Sequence, residues 1–197
     1  MAKLAKGIKR KLTGNNPELK IDFKQLTGVD LSNFPVMKES ISQDILDKIL
    51  ERTADGDSWN GRKFKSPYSK QYQATDEFKA FGKSANKVNL NLTGGMLGLM
   101  DVKETSGKDA TIGWFDREEA AKAHGHITGA PDGPKVKRDF FGINESEAKQ
   151  ILREYGRDLA AIRDTIAGDK KASEQRTQLQ NRILGFIQAL RSGSDEG

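Results

Sequence analysis

The strongest constraint on the fold lies between Pro35 and Asp55-Gly56, where Met37, Ile41, Ile45 and Ile49 recur every four residues, flanked by Leu46 and Leu50. That spacing lays one apolar stripe along a helix. Pro35 suits its first turn, and Asp55-Gly56 stops it. A stripe of this length needs an apolar surface to cover, because helices in proteins owe most of their stability to packing. Strand patterns lie on both sides. Leu19, Ile21 and Phe23 alternate with Lys20, Asp22 and Lys24, which predicts an edge or arm strand within 19–29. Residues 101–105 and 109–115 bracket Ser106-Gly107-Lys108, a hairpin by composition, with Ile112 and Trp114 on one face.

The remaining elements follow from local signals. Val88, Leu90 and Leu92 alternate into Thr93-Gly94-Gly95, then Met96, Leu97, Leu99 and Met100, a short extended piece turning into a short helix. Glu118 to His124 reads as helix and 125–138 as a loop rich in Gly and Pro. Asn144 with Glu147 three residues on forms a capping box. It opens a long helix through Ala148, Ile151, Leu152, Tyr155, Leu159, Ile162 and Ile166. After Gly168 a final helix carries Leu179, Ile183, Phe186, Ile187 and Leu190.

Charge is uneven along the 197 residues. Residues 1–24 hold Lys3, Lys6, Lys9, Arg10, Lys11, Lys20 and Lys24 against Glu18 and Asp22, so this stretch carries the whole net charge of +5. Residues 1–17, broken by Gly7, Gly14 and Pro17, are expected to order only against something else. Lys3, Lys6, Lys9, Arg10 and Lys11 are therefore candidate contacts to a partner or to DNA. The stretch 56–75 reads as a long surface loop anchored by Trp59, Phe64, Tyr68 and Tyr72. Its rings interleave with Arg62, Lys63, Lys65 and Lys70, and Trp59 and Tyr68 join the contact candidates. With 31% charged residues against 35% hydrophobic, wet helix faces are expected. No run of about 18 apolar residues exists, and the N-terminal MAKLAKGIKRKL lacks the apolar core of a secretory signal, so a soluble protein with no membrane partner is expected.

The residues nominate no chemistry. Cysteine is absent, which removes thiolate nucleophiles, thiolate metal sites and disulfides together. Gly82-Lys83-Ser84 imitates the end of a phosphate-binding loop, but position 77, where that motif needs glycine, is Glu. Gly94, Gly95 and Gly98 are explained by a turn into a helix. His124-Gly125-His126 with Asp132 or Asp139 is the nearest approach to a metal set, and it lacks a third strong ligand. No catalytic, metal or cofactor residues are assigned and no cofactor is expected. A metal-dependent hydrolase centred on the two histidines is one rival reading. A nucleic-acid-binding protein using the basic arm and loop 59–72 is another.

The order of these signals resembles the phage virion morphogenesis family, the tail-completion proteins like those of phages Mu and P2. The resemblance rests on helix 36–54, Trp59, Pro67-Tyr68, Leu92-Thr93-Gly94-Gly95-Met96-Leu97, Ile112-Gly113, the short helix to His124 and Gly125, loop 126–137, and Arg138-Asp139-Phe140-Phe141-Gly142. An extra glycine sits in the Thr-Gly turn, Asp139 stands where the family has Pro, and the aromatic usual before the short helix is missing. Coverage is roughly 36–167. The resemblance implies an α+β fold, a small mainly antiparallel sheet packed by the long amphipathic helix, and leaves unexplained the basic N-terminal arm and the C-terminal helical extension that the residues themselves suggest. The corresponding division is an arm over 1–30, a core over 31–168 and a helix and tail over 169–197. Thr93, Gly94, His124, Arg138, Phe140, Phe141 and Gly142 become signature structural residues, with Arg138 pairing a carboxylate or backbone carbonyls. The implied role is a non-enzymatic, ring-forming neck, tail-completion or tail-terminator subunit at the head-tail junction. Its expected partners are further copies, six in a ring, and neighbouring neck, connector or tail proteins, with the arm facing packaged DNA. The expected location is the virion, after assembly in the host cytoplasm.

Overall fold

The computed structural model describes residues 2–64, 67–85, 87–90, 95–129 and 136–192, excluding the side chains of 104, 106 and 182–192. In chain order the elements are β1 (Ile8–Lys11), β2 (Glu18–Asp22), α1 (Phe23–Thr27), α2 (Pro35–Ala54), α3 (Lys70–Gln73), α4 (Asp76–Ala80) and α5 (Gly95–Gly98). They continue with β3 (Met100–Ser106), β4 (Asp109–Trp114), α6 (Arg117–Thr128), α7 (Glu145–Glu154) and α8 (Gly156–Ser192). The protein is α+β, as expected. Two compact units divide between Tyr155 and Gly156.

In the first unit the four strands pair antiparallel in the order β1-β2-β4-β3. One face buries Ile8, Leu19, Ile21, Ala110, Ile112, Trp114 and Met100. The period-2 alternation of β2 and β4 produces that face, since successive side chains point to opposite sides. α2 packs on β3 and β4, burying Ile41, Ile45, Leu46 and Ile49. Lys38, also on the covered face, donates from Nζ to the Gly107 carbonyl at 2.7 Å and so ties α2 to the β3–β4 turn. Trp114, Phe140 and Phe141 fill the centre, with the Trp114 and Phe141 rings 5.0 Å apart. The indole Nε1 of Trp114 donates to the Met96 carbonyl, so the tryptophan also holds α5.

Five expectations are corrected. The basic N-terminus is no free arm: Ile8–Lys11 pairs with β2, and Leu4 and Ala5 bond to 143–144. The alternating segment after it is an interior strand, not an edge, and it ends at Asp22. Asp22 caps α1 through its side chain, which converts the apolar alternation into a helical turn. α6 runs through Gly125 to Thr128, past its expected end at His124. Part of the expected loop 56–75 is helical at α3. Lastly, the helix from Asn144 stops at Tyr155, and α8 passes straight through Gly168, so the boundaries expected at 30 and 168 give way to one at 155/156. A glycine in an exposed helix costs only about 1 kcal/mol and need not end it.

Candidate functional site

Residues 138–144 carry no regular secondary structure apart from one bridge at Asn144, yet Arg138 and Phe140 to Asn144 are buried. A buried extended segment must satisfy every backbone group it takes from water, and other parts of the unit do so here. Arg138 N donates to the His126 carbonyl at 2.7 Å, and the Asp139 carbonyl accepts from Trp59 N and Ser58 Oγ. Ala5 N donates to the Ile143 carbonyl at 3.0 Å, while Asn144 Nδ2 donates to Trp59 O at 3.0 Å. The Phe140 and Gly142 carbonyls accept from Arg52 Nη2 at 2.6 and 2.8 Å. Arg52 completes its fork on both oxygens of Glu147, at 2.8 and 2.7 Å from Nη1. Glu147 in turn accepts from Asn144 N, so the capping box of α7 is locked to the end of α2.

The strap thus gathers most of the signature residues. Phe140 and Phe141 are fully buried. Gly142 faces Trp59 so closely that a β-carbon would lie 3.1 Å from the indole Cγ. The role expected of Arg138 belongs to Arg52 instead, since among the described residues the Arg138 side chain pairs with no carboxylate and donates to no backbone carbonyl. Thr93 and Gly94 lie outside the described residues, as does Asp132.

Several candidate contact residues prove to be internal. Arg10 forms a two-pronged ion pair with Asp139 and lies over the Trp59 ring, 5.4 Å from its centroid. Tyr68 is buried against Phe78 and Tyr72. Lys3, Lys6, Lys9 and Lys11 are exposed, Lys11 reaching Glu18 at 3.4 Å. Lys9 stands opposite Lys20 across β1 and β2, both on the open face of the sheet.

The two histidines do not converge. Two residues apart on α6 they point to opposite sides, and His124 Nε2 donates to the Leu12 carbonyl at 3.1 Å. His126 is largely buried with Nδ1 unpaired, and burial with the nearby Arg138 charge pulls it down to about 4. No group of three His, Asp or Glu side chains suited to a metal occurs among the described residues. An open cleft at the end of α2, lined by Asp55, Gly56, Asp57, Lys63, Phe64, Lys87 and Val88, has its charges matched by the Lys63–Asp57 and Lys87–Asp55 pairs.

Sequence reasoning passed over Arg52 and the strap as a unit, and met Lys83 only in the rejected match to a phosphate-binding loop. For Arg52 a signal existed: it falls three residues after Ile49, on the buried stripe of α2. A cation on a buried helix face requires a partner. No match to the chain is found among protein-family models, curated proteins or solved structures.

Proposed function

We propose that this protein is a structural subunit of a tailed-phage virion, a ring-forming neck or tail-completion component without enzymatic activity. The observation that carries the reading is α8, a helix of 37 residues and so about 55 Å long. From Arg163 to Asn181 every side chain on it is exposed, including Ile166 and Leu179 at 37% and 57%. A helical stretch that is wet all round, as 163–181 is here, suits an element that packs on another subunit. The resemblance in the order of signals along 36–167 supports the virion setting. Within that reading the α+β units form a closed ring, and α8 reaches a neighbour or the next ring. Weak single contacts add up through ring multiplicity.

Light scattering on the full chain across a concentration series tests this. The expected result is a discrete oligomer near six subunits. Ile166→Asp and Leu179→Asp are expected to dissociate it without altering the unfolding of the first unit. A protein that stays monomeric at every concentration and does not join purified heads or tails refutes the proposal.

A second reading, contact with nucleic acid, is favoured by Lys9 and Lys20, which face each other on the open sheet face and pair with no carboxylate among the described residues. Like charges directly opposite destabilise a sheet and suit an anionic partner. Retention of DNA that falls steeply with salt and weakens in Lys9→Ser/Lys20→Ser would support it. Salt-independent or absent retention would remove it.

A further inference from the structure

Three arginines are withdrawn from solvent in the first unit, Arg10 partly and Arg52 and Arg138 more fully, and two of them are neutralised: Arg10 by Asp139 and Arg52 by Glu147. Arg138 is the exception. It is 6% exposed, its Nε is buried without a partner, as are those of Arg10 and Arg52, and it alone of the three has no carboxylate pairing with it among the described residues. Its guanidinium lies 5.6 Å from the centre of the Tyr68 ring, and Lys83 Nζ lies 5.3 Å from the same centre. Among the described residues Lys83 has neutral partners only, Asn89 Oδ1 at 3.0 Å and the Tyr68 hydroxyl at 3.4 Å. His126 stands beside Arg138, joined through the backbone bond from Arg138 N.

Two unmatched cations at one aromatic ring are a poor arrangement for stability alone. A cation over a ring gains little, whereas withdrawing an unpaired charge from water costs considerably more. The environment registers the deficit, since burial pulls both Arg138 and Lys83 below their ordinary ranges and the Arg138 charge helps hold His126 neutral. A planar guanidinium fork and a lysine point charge together match an oxyanion with several oxygens.

We propose that Arg138 and Lys83, walled by Tyr68 and His126, form a binding site for a phosphate dianion. Charge decides the class: with His126 neutral, the two cations are balanced by two negative charges and not by a single carboxylate. Arg138 provides the fork and Lys83 the second charge, and the ring of Tyr68 keeps both in place when the site is empty. The site is independent of the assembly reading.

The test uses the full chain, with thermal unfolding followed by tryptophan fluorescence at neutral pH. Inorganic phosphate, acetate and chloride are titrated at matched ionic strength. Phosphate is expected to raise Tm in a saturable way that chloride and acetate do not reproduce. Arg138→Met should weaken the response at least tenfold, and in phosphate-free buffer it should unfold no earlier than the parent, because an unmatched charge has been removed. Lys83→Met, at a half-buried position, should weaken the response several-fold and serves as the deciding variant if Arg138→Met does not fold. A phosphate response no larger than that of chloride, or one that survives in the deciding variant, overturns the site. An equal response to acetate overturns the dianion assignment.

Discussion

Arg52→Met removes the hub of the first unit while keeping most of the side chain's volume. Four hydrogen bonds are lost, two to Glu147 at 2.8 and 2.7 Å and two to the Phe140 and Gly142 carbonyls at 2.6 and 2.8 Å. Glu147, with a side chain 13% exposed, is left as a buried charge without its counter-ion. Breaking one side of such a pair costs about 3–5 kcal/mol, and stranding two carbonyls adds on the order of 1 kcal/mol or more. A loss of about 5 kcal/mol is therefore expected, comparable to the whole stability of many domains, roughly 5–15 kcal/mol. Urea unfolding read by tryptophan fluorescence measures it cleanly, because Trp59 and Trp114 both belong to the first unit and α8 does not report. On a Glu147→Gln background the same substitution should cost about 2 kcal/mol less, the signature of direct coupling. A loss below about 1 kcal/mol at unchanged m-value, the range of a solvent-screened surface pair, would refute the reasoning.

Other substitutions probe the strap and its neighbours. Gly142→Ala places a methyl 3.1 Å from Trp59 Cγ and should cost about 1–3 kcal/mol in the same urea assay, whereas a neutral result would mean that the indole moves freely. Phe140→Ala empties a fully buried site and should cost about 3–5 kcal/mol, and a change under half that lower bound would contradict its burial. For pH, His126 drops from 6.5 to about 4 in the fold, so the unfolded chain binds a proton that the folded chain refuses. Stability is then complete above about pH 6.5 and declines by up to about 3 kcal/mol as pH falls towards 4. His126→Gln should flatten that part of the profile, and parallel profiles for the two proteins would exclude the histidine as its source.

Signals confined to a few neighbouring residues were the legible ones. Asn144 and Glu147 announce α7 because a capping box is closed within one turn, and Ile41, Ile45 and Ile49 announce α2 because packing repeats along one face. Position within the sheet was not legible. The alternation of Leu19 and Ile21 reports a buried face, and that is the same for an edge or an interior strand. β1 hides behind Lys9, Arg10 and Lys11, with only Ile8 to betray a covered side. The strap depends on bonds between residues about ninety positions apart, such as Arg52 to Phe140 and Gly142, which no periodicity encodes. Arg138 misleads for a related reason: an arginine beside two phenylalanines looks like a paired core residue, and only three-dimensional placement reveals that no described carboxylate pairs with it.

The closure of the first residues onto the last of the sheet unit bears on how the protein is made. Leu4 bridges to Asn144, and Arg10 reaches Asp139 across 129 positions. A ribosome adding roughly 5–20 residues per second therefore exposes the β1–β2 ribbon on the order of ten seconds before its partners emerge. During that interval the lysines of the ribbon keep the nascent segment hydrated and discourage strand-to-strand sticking between chains. The basic residues of β1 and β2 thus belong to a ribbon whose closure depends on contacts formed late.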